Sequence, residues 1–274
     1  MSLRHNCIDL DAFNDVLFRY PAVIAKASDS KQKRKTPTSE EEESLASLDK
    51  WRLEILPRDL AERRYADGDD DCLRKAEVEK LIRWKLKHGT FRPSLMKLVA
   101  SNSEDTVRET TARAFEVLSG TSYQDTEALS NKILEALGVL TELQGIGPAS
   151  ASILLSVRHP AHVPFFSDEA YRWLTYTTGN PWTAGIKYNV KEFRMMLSAS
   201  LELCQRLDVS AVDVERVGWL LGQEASKLDQ EVSDATAGSK RKQEKSELAD
   251  RPADGKLSES QPATNARYSK RTKR

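Results

Sequence analysis

The sequence predicts an all-α fold, arranged as an orthogonal helical bundle. Three observations predict it. Apolar residues return at spacings of three and four in segment after segment. Capping residues and glycines bracket those segments. No segment alternates apolar and polar residues between turn dipeptides, as strands do. The chain has 274 residues, enough for one or two domains. Apolar residues are 39% and charged residues 31%, a balance that leaves part of the chain outside a packed core.

Taken in order, residues 8–26 read as a helix within an N-terminal segment, 1–27. The run "SDSKQKRKTPTSEEEE" (28–43) is polar and charged and reads as a flexible linker. Leu45, Leu48, Trp51 and Ile55 then resume a helical face and open the main all-α domain, 44–227. "ADGDDD" (66–71) looks faintly like a calcium loop, but it lacks the carboxylate spacing and late glutamate of an EF-hand. Glu77 to His88 places Val78, Leu81, Ile82 and Leu86 on one face, ended by Gly89. Ser103 caps a helix whose buried stripe is Val107, Thr111, Ala114, Phe115 and Leu118, with acids in its first turn and Gly120 at its end. Thr126 to Leu137 forms another, ended by Gly138. Phe193, Met196, Leu197, Ser200, Cys204 and Leu207 mark a helix over 190–207. Ser210 and Asp213 resemble a capping box for one that buries Val214, Val217 and Leu221. From 228 to 274 the composition turns to Lys, Glu, Ser and Asp and reads as a disordered basic tail. It holds "KRK" and "YSKRTKR", a nuclear import or nucleic-acid-binding signal on one reading and a solubilising tail on the other.

Lys plus Arg and Asp plus Glu are 42 each, so any basic surface is local. Cys7, Cys72 and Cys204 are far apart with no CxxC pair, which suggests neither a disulfide framework nor a zinc site and fits a reducing compartment. His159 and His162 form an HxxH without a third ligand nearby. No metal and no cofactor is expected. "MSLRHNCIDLDAF" lacks the apolar core of a secretory signal, and no window is apolar enough for a membrane span.

The stretch "LTELQGIGPASASILL" has the spacing of a helix-hairpin-helix, placed at 139–157. The first helix is expected to end at Leu143 and the second to run from Pro148, a residue suited to a first helical position, to Val157. Ala149, Ser150, Ala151 and Ser152 allow close helix packing. The amides of Gly145, Ile146, Gly147 and Ala149 at the turn are candidates to hold a DNA phosphate through the backbone. The alternative is a tight helix pair with a solvated turn.

This region resembles the helix-hairpin-helix superfamily of DNA glycosylases, over roughly residues 100–225, with the hairpin and the following loop as the matching motifs. In that family a proline loop follows the hairpin, and an aspartate then opens a helix. Here the loop is "RHPAHVPFFSDEAYRWL", and Asp168 lies 21 residues after Gly147, with Ser167 as cap. The resemblance implies that Asp168 is catalytic, stabilising positive charge on the sugar as the base leaves or helping to activate the nucleophile. The chain departs from the pattern in three places. Ala149 stands where bifunctional members carry the Schiff-base lysine. Phe166 stands two residues past Pro164, the usual place of the aspartate, with Asp168 four past it. No four-cysteine cluster follows the domain.

Phe165, Phe166, Tyr171, Trp173 and Trp182 fall within eighteen residues and are candidates to stack on an extruded base, or to fill the core. "RWKLKHGTFRP" (83–93) gathers Lys85, Lys87 and Arg92 as candidates for phosphate contact; a solvated helix face is the other reading. Three functions follow as expectations: a helix-hairpin-helix DNA-binding protein, a monofunctional DNA N-glycosylase using Asp168 without lysine-based lyase chemistry, or a non-enzymatic protein-interaction scaffold. The expected partner is DNA, with protein partners reached through the tail, no membrane, and a nuclear location.

Overall fold

A computed structural model describes residues 3–32, 43–65, 71–123, 125–176 and 181–228, all within the unit Met1–Leu228. The described residues are helical, with no strand among them. The basic tail from 229 onward, the linker residues 33–42 and residues 66–70 of "ADGDDD" lie outside the described residues.

Helix α1 (Leu10–Gln32) turns Phe13, Val16, Tyr20 and Ile24 into the core at helical spacing. It runs past the expected end at residue 26, because Ser28 is buried and its Oγ accepts from Ala46 N–H at 3.3 Å. That bond ties α1 to α2 (Leu45–Lys50). α2 passes through a π turn, Trp51–Ile55, into α3 (Leu56–Tyr65). Helix α4 (Lys75–His88) is capped by the Glu77 carboxylate on Arg74 N–H, and α5 (Leu95–Ala100) follows it. Ser103 caps α6 (Glu104–Leu118) and Asp125 caps α7 (Thr126–Leu140), each by accepting from backbone amides.

Gly138 does not end α7. Leu137 and Leu140 extend the buried stripe, and the helix continues through the glycine. It ends before the expected Leu143, because Glu142 and Leu143 donate to carbonyls three residues back, tightening the chain into the turn 141–147. Helix α8 (Pro148–Arg158) begins there; α9 (Asp168–Thr175) is capped by Ser167, and α10 (Val190–Leu207) by Asn189. The last helix, α11, spans 211–228 and opens with Ser210 Oγ accepting from Asp213 N–H.

α8 is the centre of the fold. Every residue from Ala149 to Val157 is buried, and the helix packs against α3, α4, α7 and α10. Its serines do more than allow close approach. Ser150 Oγ accepts from Lys85 Nζ at 2.9 Å, Ser152 Oγ from Phe166 N–H at 2.9 Å, and Ser156 Oγ from Arg52 Nη2 at 3.1 Å.

Arg52 enters the core from the π turn and is 1% exposed. Its two terminal nitrogens hold Glu215 of α11 at 2.7 Å each, and its guanidinium lies 4.1 Å from the Trp84 ring centre. Glu215 Oε2 also accepts from Phe165 N–H at 3.0 Å. Removing one partner of a buried pair strands the other charge, at a cost of about 3–5 kcal/mol. Arg52→Ala is therefore expected to lower unfolding stability by about that amount in urea titration. A loss below about 1 kcal/mol, the size of a surface pair, would contradict this role.

Candidate functional site

The turn 141–147, the end of α4 and the start of α9 meet around a cleft of about 300 Å³. Lys85 and His88 come from α4, and Thr90 and Arg92 from the segment after it. Gly145, Gly147, Ala149 and Ser150 come from the turn and α8. Phe165, Phe166, Asp168 and Glu169 come from the loop and α9, with Lys187 and Tyr188 beside them. Segments far apart in the chain thus converge on one space.

The two glycines of the turn have different reasons to be there. Gly145 has φ of 79°, and a Cβ on it would stand 2.9 Å from Leu98 Cβ and 3.1 Å from Val99 Cγ2 of α5. Both conformation and packing require glycine. Gly147 is extended, at φ −96° and ψ −178°, and a Cβ there meets nothing within 4 Å. Gly147 leaves open space at the mouth of the cleft. Its carbonyl accepts from Ser150 and Ala151 N–H, which starts α8. Among the described residues, the N–H groups of Gly145, Gly147 and Ala149 have no backbone acceptor. The Ile146 N–H, expected to be free for a phosphate, instead donates to the Leu143 carbonyl at 3.1 Å, because the tightened turn brings that carbonyl under it, and its side chain lies in the core, 4% exposed.

Lys85 is half-buried, and burial pulls its ammonium down to about 8, with Arg92 pushing the same way and Asp168 opposing. Arg92 stacks over the Tyr188 ring at 5.4 Å. The Tyr188 hydroxyl donates to Asp168 Oδ1 at 2.8 Å. Burial, and then the Asp168 carboxylate that accepts its proton, push the Tyr188 phenol up to about 12, so it stays a donor. Tyr188 has φ of 55°, a left-handed conformation costing a non-glycine residue about 1 kcal/mol. Glu169 accepts from Gln223 Nε2 at 3.0 Å, and burial first, then the neighbouring Asp168 charge, push its carboxyl up to about 7. The cleft thus carries the cations Lys85, Arg92 and Lys187 together with two acids whose surroundings differ.

Lys85, Arg92, Gly145, Gly147, Ala149, Phe165, Phe166 and Asp168, each expected at a site from sequence, line this cleft. Lys87 does not; its Nζ donates to the Glu43 carbonyl at 2.6 Å, because a step of two residues along α4 turns it to a different face from Lys85. Tyr171 and Trp173 are buried outside the lining. Tyr171 packs behind Phe166 with ring centres 5.4 Å apart, and Trp173 Nε1 donates to the Leu3 carbonyl at 2.8 Å, fastening the N-terminal segment. His159 is buried and its imidazole is pushed down to about 4, by burial and then Arg158, while His162 stacks on Tyr123. Among the described residues no group of His, Cys, Asp or Glu is placed to hold a metal ion, and Asp71 pairs with Arg158 at 2.7 Å. No described helix is long and apolar enough to cross a membrane.

Sequence reasoning missed Tyr188, Lys187, Ser150 and Glu169 as parts of one site. Glu169 was visible as a first-turn acid, and Lys187–Tyr188 as a basic–aromatic step before a capped helix, but neither pattern points to a cleft. Comparison with protein-family models, curated proteins and solved structures finds no match for this chain.

The two glycines give opposed expectations. Gly145→Ala should lose at least about 1–2 kcal/mol in urea unfolding from the left-handed backbone alone. Gly147→Ala should stay within about 0.5 kcal/mol of the parent, as for an ordinary surface change. Equal losses would contradict the distinction. A carboxyl whose pKa rises on folding, from 4.5 to about 7 at Glu169, opposes folding increasingly as pH climbs through that window. Thermal melts should therefore show Glu169→Gln gaining on the parent between pH 4.5 and about 7, with the advantage absent below 4.5.

Proposed function

We propose that this chain is a helix-hairpin-helix DNA-binding protein that takes hold of a backbone phosphate at the turn 141–147. One observation carries the reading. Gly145, Gly147 and Ala149, whose amides have no backbone acceptor among the described residues, line the same cleft as Lys85, Arg92 and Lys187. Helix starts and backbone amides favour an anion without any side chain, and nearby cations supply the salt-dependent share of affinity. Gly147, with open space where a Cβ would stand, admits close approach of a phosphate. The zero net charge of the chain is no obstacle, because the cations are concentrated at one place.

A second reading, a monofunctional DNA N-glycosylase, is favoured by the position of Asp168. Its carboxylate lies on the same cleft as the turn, at the start of α9, beside Phe165, Phe166 and Tyr188. Asp168 stands two positions beyond the usual place after Pro164, which the buried Phe166 fills, with Ser167 between them. A base turned out of a duplex would meet aromatic walls there. The Asp168 charge would oppose the positive charge that builds at the sugar as the N-glycosidic bond breaks; water then adds at that carbon and the base departs with a proton.

Fluorescence anisotropy with duplex DNA across a salt series tests the first reading. Three cations predict a log–log salt slope of about −3, and Arg92→Ala should reduce it by about one. Gly147→Asp, which places a carboxylate where the phosphate sits, should abolish binding. Absent or salt-independent binding of the parent would remove both readings. Duplexes carrying a panel of damaged bases test the second. Asp168→Asn should bind as well as the parent but release base about 100-fold more slowly. Binding without base release from any duplex leaves the first reading alone.

A further inference from the structure

We infer that the phosphate this cleft holds best is a monoester, the terminal phosphate of a DNA strand, so that its ligand is a strand end at a nick or gap in preference to unbroken duplex. The inference rests on the cleft being a DNA phosphate site, as proposed above, and adds the kind of phosphate. Away from the cleft, cations of the same and neighbouring helices are taken up by carboxylates: Arg63 of α3 by Glu77, Lys80 of α4 by Glu43, and Arg158 of α8 by Asp71. Inside it, Lys85, Arg92 and Lys187 form no ion pair among the described residues. Lys85 Nζ bonds an alcohol oxygen, Ser150 Oγ, and Arg92 lies over the Tyr188 ring. Three cations against the Asp168 carboxylate leave two positive charges in excess while Glu169 holds its proton, and one when it does not. A phosphodiester brings a single negative charge, whereas a monoester brings about 1.5 to 2 at neutral pH. The lining therefore has more positive charge than one internal phosphate neutralises.

Shape points the same way. An internal phosphate is esterified twice, and its sugars lead the strand off in two directions, so a protein meets it from one side, as it meets a ridge. This site is concave and closes from several sides: Lys85 from α4, Arg92 from the segment after it, Gly145 and Gly147 from the turn, and Lys187 from the segment before α10. A monoester has one ester link and three free oxygens. It can be met from all of these sides while its strand leaves past Gly147, where a Cβ would touch nothing within 4 Å. Lys85 is prepared for the inner position. One of its three N–H groups is on Ser150 Oγ at 2.9 Å, which fixes the nitrogen and leaves two for a ligand. Burial has already drawn its ammonium down to about 8, so a second negative charge beside it, in a half-buried place, acts more strongly than at an open surface.

The test is fluorescence anisotropy of the full chain with dumbbell duplexes, whose hairpin-closed ends carry no terminal phosphate. One duplex is continuous, and the others hold a single-nucleotide gap bearing a 5′-phosphate, a 3′-phosphate or hydroxyls alone. A phosphate at one side of the gap or the other should tighten binding about ten-fold over the hydroxyl gap, the size of one hydrogen bond to a charged group. Lys187→Ala, which removes an exposed side chain of the lining, should shrink that ratio by about two- to five-fold, the size of an exposed charge pair. Lys132→Ala, which removes a cation of α7 outside the lining, should leave the ratio unchanged. Equal binding of phosphate and hydroxyl gaps overturns the inference and leaves the proposed function intact, as does a ratio that Lys132→Ala lowers as much as Lys187→Ala. A deoxynucleoside monophosphate, added as competitor and as sole ligand, separates the two sources of a monoester. Its binding without that of any duplex removes the proposed function and the strand end together, and so does absence of binding to every probe.

Discussion

The buried pair of Arg52 and Glu215 is the constraint on which the rest of the structure depends. Two charges in the core cost several kcal/mol of lost hydration each, and they persist only when the geometry and the remaining hydrogen bonds are good. Here the guanidinium uses both terminal nitrogens on the carboxylate, a third bond on Ser156, and its face on Trp84. The π turn makes this possible: the wide turn within the α2–α3 stretch swings Arg52 inward. A second layer follows from the same centre. Asp49 accepts from Trp84 Nε1 and the Tyr20 hydroxyl at 3.0 Å each, and burial raises its carboxyl while Arg52 pulls it back. Because Glu215 also holds Phe165 N–H and Ser152 holds Phe166 N–H, the loop before α9 is fixed by polar bonds made deep in the core.

That route explains how a cleft at the surface acquires definite geometry. α8 presents three serines on the sides that meet Lys85, the loop and Arg52, so one buried helix registers the amine, the phenylalanines and the ion pair against each other. The carbonyls of Pro160 and Ala161 accept from Val212 and Ala211 N–H, which clamps the other end of the loop to α11. Cations and carboxylates are interleaved in the cleft: Lys85, Arg92 and Lys187 line it with Asp168 and Glu169, and Arg92 lies over the Tyr188 ring whose hydroxyl holds Asp168.

Much of the fold was legible because it rests on local rules. Ser103, Ser167 and Ser210 cap the helices they were expected to cap, and the stripes of α4, α6 and α10 are buried as their spacing requires. The errors are equally physical. Gly138 is a poor helix residue, yet the apolar contacts of Leu137 and Leu140 outweigh its cost. Lys87 looks equivalent to Lys85 in a linear basic run, but two residues along a helix is a change of face. The convergence of Lys85, Arg92, the turn and Asp168 on one cleft was only partly legible, from motif spacing. Arg52, Ser152, Ser156 and Glu215 were not legible at all, because no periodicity distinguishes a serine used as a buried acceptor from one used for its size.

Tyr188 shows what this framing does for Asp168. Its neighbours on both sides, Lys187 and Asn189, are tied to Glu192 at the start of α10, and between them its backbone is held left-handed. The hydroxyl at the far end of that held residue is bonded to Asp168. A carboxylate on an exposed helix start would sample several rotamers and a shell of water. This one has its orientation settled while the chain folds, so the entropy of ordering it is lost once, at folding, and not again each time the cleft is filled.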